Sequence, residues 1–361
     1  MKYIGIDCRA IEEIPTGIGN YMKSIVPEII KKDKSNVYYL IFNKGNIYQR
    51  YLDRYSKSTN VKVVIIKSKT QSILSQITLQ RELKKIKLNL FITDIFGSVF
   101  FIGIPYMLIL HDIIGIKNPK FVSLQYRLYN RIQLKWSITH AKKIFTLTHT
   151  VKNDILNYLN IKGKKIKVIS AGITIPKVYP DVNIQDKYNI HNDYFVYIGN
   201  DKPHKNIRGL VNAFIKYKKK FKNNTELILV GVKEDSKALI KRKKKYIKPL
   251  GIIKEQEKLQ ILKNAISLVT LSFDEGFGLP ILEATYLKIP IICSNIDAFK
   301  EILDENQAIF VNPKSTMPVA KALNLIYTDD NKREDLIKNS QDLIKKYSWA
   351  KTAKKIIKEI K

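Results

Sequence analysis

The chain has 361 residues, of which 45% are hydrophobic and 10% aromatic, and these proportions exclude an intrinsically disordered protein. This length is ample for two domains of ordinary size. The formal net charge of +32 indicates either an affinity for polyanions, such as nucleic acid or an anionic membrane, or a lysine-rich composition without functional meaning.

The cysteines and the apolar segments indicate a cytoplasmic protein. Cys8 and Cys293 are far apart and lack metal-ligand spacing, which fits buried thiols in a reducing compartment. The start, MKYIGIDCRAI, has no long apolar segment of the kind found in signal peptides. Glycines and a proline interrupt the nearly uncharged stretch between Asp94 and Asp112, so we interpret it as core and predict no transmembrane helix.

Short apolar segments alternate with longer helix-like segments along nearly the whole chain. The predicted strands are YIGI, VYYLIF, VKVVII, LFIT, YMLIL, KIFTL and IKVIS, and after a break YFVYIG, ELILVG, SLVTLSF and PIIC. Amphipathic segments such as SLQYRLYNRIQLKWSITHAKK and IRGLVNAFIKYKKKF lie between them. This alternation predicts an α/β protein with parallel sheets covered by helices on both faces.

The break in the alternation predicts two domains. The segment SAGITIPKVYPDVNIQDKYNI has weak periodicity, and we place a linker near Ile173–Ile190. The predicted organisation is two doubly wound, Rossmann-like domains, residues 1–175 and 190–345, with a terminal helix at 346–361. Ligands of such sheets bind outside the carboxyl ends of the strands, so two domains facing each other predict a ligand cleft between them.

Two candidate motifs follow strands of the first predicted domain. Gly17 and Gly19 in TGIGNY either let backbone amides approach a phosphate or simply form a tight turn. His111 follows YMLIL, where its ring nitrogens can meet sugar or phosphate oxygens. The alternative is a hydrogen-bonded core histidine, with Asp112 capping the next helix.

Two more motifs follow strands of the second predicted domain. In NDKPHKN, which begins at Asn200, Lys205 can add a point charge to an anion site, although one lysine among so many is weak support. In DEGFGLPILEA, the glycines expose backbone amides before a helix that we expect to start at Pro280, with Glu283 in its first turn. Glu275 and Glu283 can bind adjacent sugar hydroxyls, or they can merely complement the helix dipole.

Together these motifs resemble those of the retaining glycosyltransferases of family 4, which have the GT-B fold. The resemblance extends nearly end to end, over TGIGNY, the His-Asp pair, ISAGI, GNDKPHKN, EGFGLPILEA, IPIICSNIDAFKEI, VNP and YSWAKTA. The chain is most similar to the branch that adds mannose or a related hexose to lipid-linked surface polysaccharides.

The resemblance implies a role for each residue of the second domain's motifs. Glu283 would hold the ribose hydroxyls of a nucleotide-sugar, and Glu275 would hold the donor sugar. Asn200 and the residues of the glycine loop would complete the donor site; the loop residues are Gly276, Phe277, Gly278 and Leu279. Lys205 would stabilise the diphosphate leaving group. Lys205 and Glu275, with His111, are the implied catalytic residues.

The resemblance implies roles for the first domain and for the end of the chain as well. Gly17 and Gly19 would help to stabilise the diphosphate, and His111 would lie near the reacting carbon and the sugar hydroxyls. The last helix, around Trp349–Ile360, would cross back onto the first domain. No metal or other cofactor is implied.

The sequence departs from the family pattern at two positions. Asn200 and, in this branch, His204 stand where relatives often carry arginine. Lys205 would therefore hold the diphosphate with less help, and a histidine could replace part of that charge in a pH-dependent way.

The resulting prediction is a transferase of mannose from GDP-mannose to a glycan or lipid-linked glycan, bound peripherally to the inner face of the membrane. The basic amphipathic helix near Tyr126–Lys143 is the predicted membrane contact. Two alternatives stay open: a nucleotide-sugar hydrolase or epimerase, and a non-catalytic polyanion-binding protein with a decayed site. Nucleic acid is disfavoured because the cations form no single block with interleaved aromatic residues.

Overall fold

The computed structural model describes residues 1–12, 16–43, 45–66, 73–94, 99, 102–118, 120, 124–159, 161, 163–174, 183–239 and 244–360. The chain divides into two compact units. The first unit comprises Met1–Gly172 and Tyr347–Lys361, and the second comprises Ile173–Lys346.

The described part of the first unit contains a parallel sheet of seven strands in the order β3-β2-β1-β4-β5-β6-β7. The strands are β1 (Tyr3–Asp7), β2 (Val37–Phe42), β3 (Val61–Ile65), β4 (Leu90–Thr93), β5 (Tyr106–Leu110), β6 (Lys143–Thr146) and β7 (Ile166–Val168). In register, Ile6 of β1 lies opposite Leu40 of β2 on one side and Ile92 of β4 on the other. The central strands are almost fully buried, as expected of a parallel sheet covered on both faces.

Helices connect these strands. They are α1 (Gly17–Lys32), α2 (Asn46–Tyr55), α3 (Ile73–Ile86), α4 (Ile114–Lys117), α5 (Leu124–His140), α6 (His149–Leu159) and, at the end of the chain, α14 (Trp349–Ile360). Helix α14 packs on α1, with the ring of Trp349 edge-on to Tyr21 at a centroid distance of 5.0 Å. The backbone approaches closely here, since a Cβ added to Gly172 would lie 2.2 Å from the backbone nitrogen of Trp349. Only glycine fits at that position.

The second unit repeats this architecture. Its described residues form a parallel sheet of six strands in the order β10-β9-β8-β11-β12-β13. The strands are β8 (Tyr194–Ile198), β9 (Glu226–Val230), β10 (Ile247–Gly251), β11 (Ser267–Thr270), β12 (Ile291–Ser294) and β13 (Ile309–Val311). The helices are α7 (Ile184–Tyr188), α8 (Ile207–Phe221), α9 (Glu255–Lys263), α10 (Leu279–Tyr286), α11 (Asp297–Lys300), α12 (Thr316–Thr328) and α13 (Asp330–Ser340). Helices α8 and α12 pack side by side over the core of this unit.

The predicted α/β class, with two doubly wound parallel sheets, is confirmed. The strand order reverses between β1 and β4 in the first sheet and between β8 and β11 in the second. Ligands of doubly wound sheets bind in the crevice at such a reversal, beyond the carboxyl ends of the strands. The loops that follow these four strands are therefore the places to look for a site.

Two details of the fold differ from the sequence-based expectations. The edge strands β10 and β13 were not predicted, because both are only partly buried and β13 has only three residues. The predicted linker Ile173–Ile190 contains the short helix α7, whose first turn is capped by the side chain of Asn183. Residues 175–182 of that linker lie outside the described residues.

Candidate active site

Two loops meet at the strand reversal of the second sheet. One follows β8 and carries Lys205, and the other follows β11 and carries Glu275. The N–H of Phe273 donates a hydrogen bond of 2.7 Å to the carbonyl oxygen of His204, which ties the loops together. Loops fixed to adjacent strands in this way can hold charged side chains at constant positions.

Lys205 and Glu275 form an ion pair between these loops. The Nζ atom of Lys205 lies 2.7 and 2.8 Å from the two carboxylate oxygens of Glu275. The hydroxyl of Ser272 donates a further hydrogen bond of 2.7 Å to Oε1 of Glu275. The side chains of Lys205 and Glu275 are 20% and 12% exposed, so both can still reach a ligand. The structure thus brings together the two predicted catalytic residues of this unit.

The glycine loop leads directly into the N-terminus of α10. Gly278 has a φ of +118°, and an added Cβ would lie 3.0 Å from Cε1 of Phe299. Both the backbone conformation and the limited space therefore favour glycine at this position. Helix α10 begins at Leu279, one residue before the predicted start, with Pro280 as its second residue. The first backbone N–H groups of a helix lack intrahelical partners and favour an anionic ligand.

Glu283 lies in the second turn of α10 rather than in the first turn, because the helix starts at Leu279. Its Oε1 accepts a hydrogen bond of 2.9 Å from Nζ of Lys258, on α9. Its Oε2 is buried and has no hydrogen-bond partner among the residues that the structure describes. Burial raises the pKa of Glu283, and the adjacent Lys258 opposes that effect. One oxygen of this carboxylate is therefore held by the protein, and the other has no protein partner.

His204 and Asn200, the two positions where relatives often carry arginine, add no second positive charge to the site. Burial, together with the charge of Lys205, lowers the pKa of His204 to about 4, so this histidine is neutral at pH 7. The side chain of Asn200 accepts a hydrogen bond of 3.2 Å from the N–H of Lys202 and shapes its own loop. The expected partial replacement of arginine by a charged His204 therefore does not occur at neutral pH.

In the first unit, His111 is buried at the carboxyl end of β5. Its ring lies edge-on to Tyr21 at a centroid distance of 4.9 Å, and within the described part of the chain its Nε2 has no hydrogen-bond partner. Burial lowers the pKa of His111 to about 4, so the ring is neutral at pH 7. Asp112 accepts a hydrogen bond of 3.0 Å from the N–H of Ile114 at the start of α4. Asp112 therefore contacts the start of α4, but the cap position itself is occupied by Ile113.

Gly17 and Gly19 do not form a loop. They lie in the first turn of α1, where the N–H of Gly19 donates a hydrogen bond of 2.9 Å to the hydroxyl of Thr16. A Cβ on Gly19 would lie 2.4 Å from the carbonyl oxygen of Ala10, whereas none of the described residues lies within 4 Å of the corresponding position on Gly17. Gly19 is thus required for close packing, and its N–H is already used by the helix cap.

The predicted site residues fall into two groups. The second unit carries Asn200, Lys205, the loop residues Gly276, Phe277, Gly278 and Leu279, and both glutamates, whereas the first unit carries Gly17, Gly19 and His111. Sequence reasoning missed Ser272 and Lys258, which contact the two glutamates. It also missed Asp94, which follows β4 at the reversal of the first sheet and whose buried carboxylate oxygens accept no hydrogen bond from another described residue. Its position directly after a strand was a usable signal.

The parts of the chain that the structure describes contain no cluster of three or more His, Cys, Asp or Glu side chains arranged to hold a metal ion. Within the same residues, none of the helices combines the length and apolar character needed to span a bilayer.

Residues 182–343 match the family model of the glycosyl transferases group 1. The chain is similar to the O-antigen chain mannosyltransferase RfbU of Salmonella typhimurium, with 33% identity over 56% of this chain and 55% of the relative. It is similar also to the O-antigen chain mannosyltransferase B of Escherichia coli, with 28% identity over 66% of this chain and 65% of the relative. The matched part of the chain thus spans between half and two thirds of the length of these relatives.

Solved structures share the fold. Anabaena Alr3699/HepE in complex with UDP and glucose has a TM-score of 0.77 and 15% identity, with 100% of this chain and 99% of that chain covered. WaaG, a glycosyltransferase involved in lipopolysaccharide biosynthesis, has a TM-score of 0.72 and 14% identity, with 98% of each chain covered. These likenesses show the fold, which is the GT-B fold that the sequence predicted.

Proposed function

We propose, from the premise that residues 182–343 of this chain form a group 1 glycosyltransferase domain, that the protein transfers a hexose from a nucleotide-diphosphate sugar to a glycan acceptor. The observation that carries this proposal is the Lys205–Glu275 pair at the strand reversal, beside the N-terminus of α10. A cation, a helix N-terminus and a carboxylate together match a diphosphate joined to a sugar.

The proposed chemistry breaks the bond between the anomeric carbon and the diphosphate oxygen and forms a bond from that carbon to an acceptor hydroxyl. The departing diphosphate gains negative charge, which Lys205 and the dipole at the N-terminus of α10 stabilise. Glu275 accepts hydrogen bonds from the donor sugar, and Glu283 accepts them from the ribose. The proton of the acceptor hydroxyl passes to the departing diphosphate oxygen, and we assign no protein nucleophile. Retention at the anomeric carbon rests on the family 4 resemblance alone.

We further propose that the donor is GDP-mannose and the acceptor a lipid-linked glycan of a surface polysaccharide. Support comes from the names of the two O-antigen mannosyltransferases to which the chain is similar. The alternatives of a hydrolase or an epimerase and of a decayed site predict different products, so both can be tested with the same preparation.

Attachment to the membrane surface is also proposed, and α5 of the first unit supports it. Leu124, Leu128 and Ile132 recur at intervals of four residues and have exposed fractions of 67%, 54% and 64%. Arg127, Arg131 and Lys135 recur at the same interval along the helix. Exposed aliphatic side chains beside a row of cations are typical of helices that lie in the interface of an anionic bilayer.

Thermal denaturation with GDP, UDP, ADP and TDP tests the nucleotide. A ligand present at 100 times its Kd stabilises the folded protein by about 2.7 kcal/mol, and we expect GDP to raise Tm the most. A larger shift with UDP would replace the donor but keep the transferase. No shift with any nucleoside diphosphate would contradict the proposal.

Product analysis with GDP-mannose tests the reaction. A transferase forms mannosylated product when the acceptor is added and releases little free mannose without it. Full release of mannose in water alone would identify a hydrolase, and the absence of any product with a bound donor and the acceptor would identify a decayed site.

A further inference from the structure

Lys258 on α9 is an unusual lysine for this chain. Among the described residues, it is the one lysine that is buried, with a side-chain exposure of 10%. Burying an ammonium group is unfavourable unless charged partners compensate, so such a lysine requires a specific role. In a chain with 64 lysines and arginines, nearly all of which can be satisfied by water, this burial separates Lys258 from the rest.

The partners of Lys258 are two carboxylates from different helices. Its Nζ lies 2.6 Å from Oε1 of Glu255, three residues earlier on α9, and 2.9 Å from Oε1 of Glu283 on α10. Glu283 is only 14% exposed and uses one oxygen for this contact. Its other oxygen, Oε2, is buried and unpartnered. An unpartnered buried carboxylate oxygen is costly, and a hydroxyl donor from a ligand would satisfy it.

We propose that Lys258 is a positioning residue for the nucleotide, which holds Glu283 by Oε1 and thereby presents Oε2 to the ribose hydroxyls. The inference rests on the proposed function, in which Glu283 binds ribose. It deepens that function because it assigns the orientation and the ionisation of Glu283 to a residue that does not itself contact the ligand.

The electrostatics make this role testable. Burial raises the pKa of Glu283, Lys258 lowers it again, and Glu255 raises it. Without Lys258 the pKa of Glu283 therefore rises further, and more of the carboxyl is protonated at neutral pH. A protonated carboxyl accepts hydrogen bonds from ribose less well than a carboxylate, so nucleotide affinity falls and recovers as the pH rises.

Other elements packed against α10 contribute few titratable groups. Strand β11 has none, and β12 carries only the buried thiol of Cys293. The short turn Gln341–Lys346 carries Asp342, Lys345 and Lys346, and Asp342 pairs with Lys345 in solvent. The pH dependence is therefore assigned to Glu283 with its two neighbours on α9.

The test is the affinity for GDP, measured by calorimetry between pH 6 and pH 9. For Lys258→Met we expect binding about tenfold weaker than wild type at pH 7, as for loss of a charge-assisted contact, and a smaller difference at pH 9. Lys258→Arg should restore part of the affinity. Lys321→Met, an exposed lysine on α12, is the matched control and should bind like wild type at every pH.

Glu255→Gln is a second variant, and it should shift the pKa of Glu283 in the opposite direction. It removes the charge that raises the pKa of Glu283, so the pH at which GDP affinity falls should move down rather than up. If Glu255 and Lys258 only stabilised the fold, the two substitutions would not shift the pH dependence of GDP affinity in opposite directions. This variant also keeps the test decisive if Lys258→Met does not fold.

Glu283→Gln separates failure of this inference from failure of the proposed function. If Glu283→Gln binds GDP like wild type, Glu283 does not hold the ribose and the proposed role of that residue is wrong. If Glu283→Gln weakens binding but Lys258→Met does not, only the positioning role is overturned. A loss in Lys258→Met that is equal at pH 7 and pH 9 would also overturn it.

Discussion

Asp33, at the end of α1, is an example of a single side chain that ties several residues into the fold. Oδ1 accepts hydrogen bonds from the N–H and the hydroxyl of Ser35, at 2.9 and 2.7 Å. Oδ2 accepts from Asn36 and Tyr38, both at 2.7 Å. Burial alone would raise the pKa of Asp33, but these four hydrogen bonds outweigh that effect and lower the pKa to about 2. The folded protein therefore stabilises the ionised form of Asp33 relative to the protonated form.

We predict that Asp33→Asn lowers the free energy of unfolding by about 2 kcal/mol at pH 7, since the amide cannot accept from all four donors. Because the folded pKa lies below the unfolded value near 4, the contribution is complete above pH 4 and is lost as the pH falls towards 2. Urea denaturation at pH 7 and at pH 3 measures it. Asp335→Asn, on the exposed face of α13, is the control. An equal loss at both pH values would contradict the account.

For single residues, the sequence predicted which side chains lie at the site better than it predicted their burial and charge state. Lys205, Glu275 and Glu283 were found because they follow strands or flank glycines. Lys258 was missed because one lysine among 64 cations carries no signal until its burial is known. The neutral state of His204 was missed for the same reason, since desolvation depends on tertiary packing.

At the element scale, buried central strands were predictable and edge strands were not. Continuous apolar runs such as YMLIL identify β5, whereas IKPLG contains a lysine, a proline and a glycine and does not reveal β10. Helix α5 was expected to extend to Lys143 but ends at His140, because Lys143 is the first residue of β6. Strand pairing there overrides the local helical pattern.

The exposed row on α5 leads to a prediction for the helix as a whole. Wild-type protein should co-sediment with anionic liposomes, with about 1 kcal/mol per well-placed cation and a steep loss as salt is added. The double substitution Leu128→Glu with Ile132→Glu should reduce this binding. Leu325→Glu, an exposed leucine of the second unit, should not. Equal binding to neutral liposomes, or no effect of the double substitution, would contradict the membrane proposal and leave the lysine content as a compositional feature.

At the scale of the whole molecule, the same doubly wound topology occurs twice in one chain. Both sheets reverse their strand order after the third strand from one edge. Alternating strands and helices in the sequence were sufficient to predict this class, because few topologies satisfy right-handed parallel connections. The partners of buried polar groups could not be predicted, because they join residues far apart in the chain, as Lys205 and Glu275 are.

The central claim is that Glu275 and Glu283 bind different parts of one nucleotide-sugar. Glu283 would grip the ribose, which is present in donor, product and free nucleotide alike. Glu275 would bind only the sugar, and its carboxylate also pairs with the lysine proposed to hold the diphosphate. Contacts that serve only the reacting sugar affect the rate of transfer rather than nucleotide affinity.

Calorimetric titration of GDP into wild type, Glu275→Gln and Glu283→Gln tests this claim most directly, with initial transfer rates measured beside it. We predict that Glu283→Gln weakens GDP binding by about 1.5–3 kcal/mol, the range for hydrogen bonds to a charged group. Glu275→Gln should not weaken GDP binding, because the substitution frees Lys205, but it should lower the transfer rate. Matching losses of GDP affinity in the two variants, or unchanged affinity and rate in both, would contradict the account.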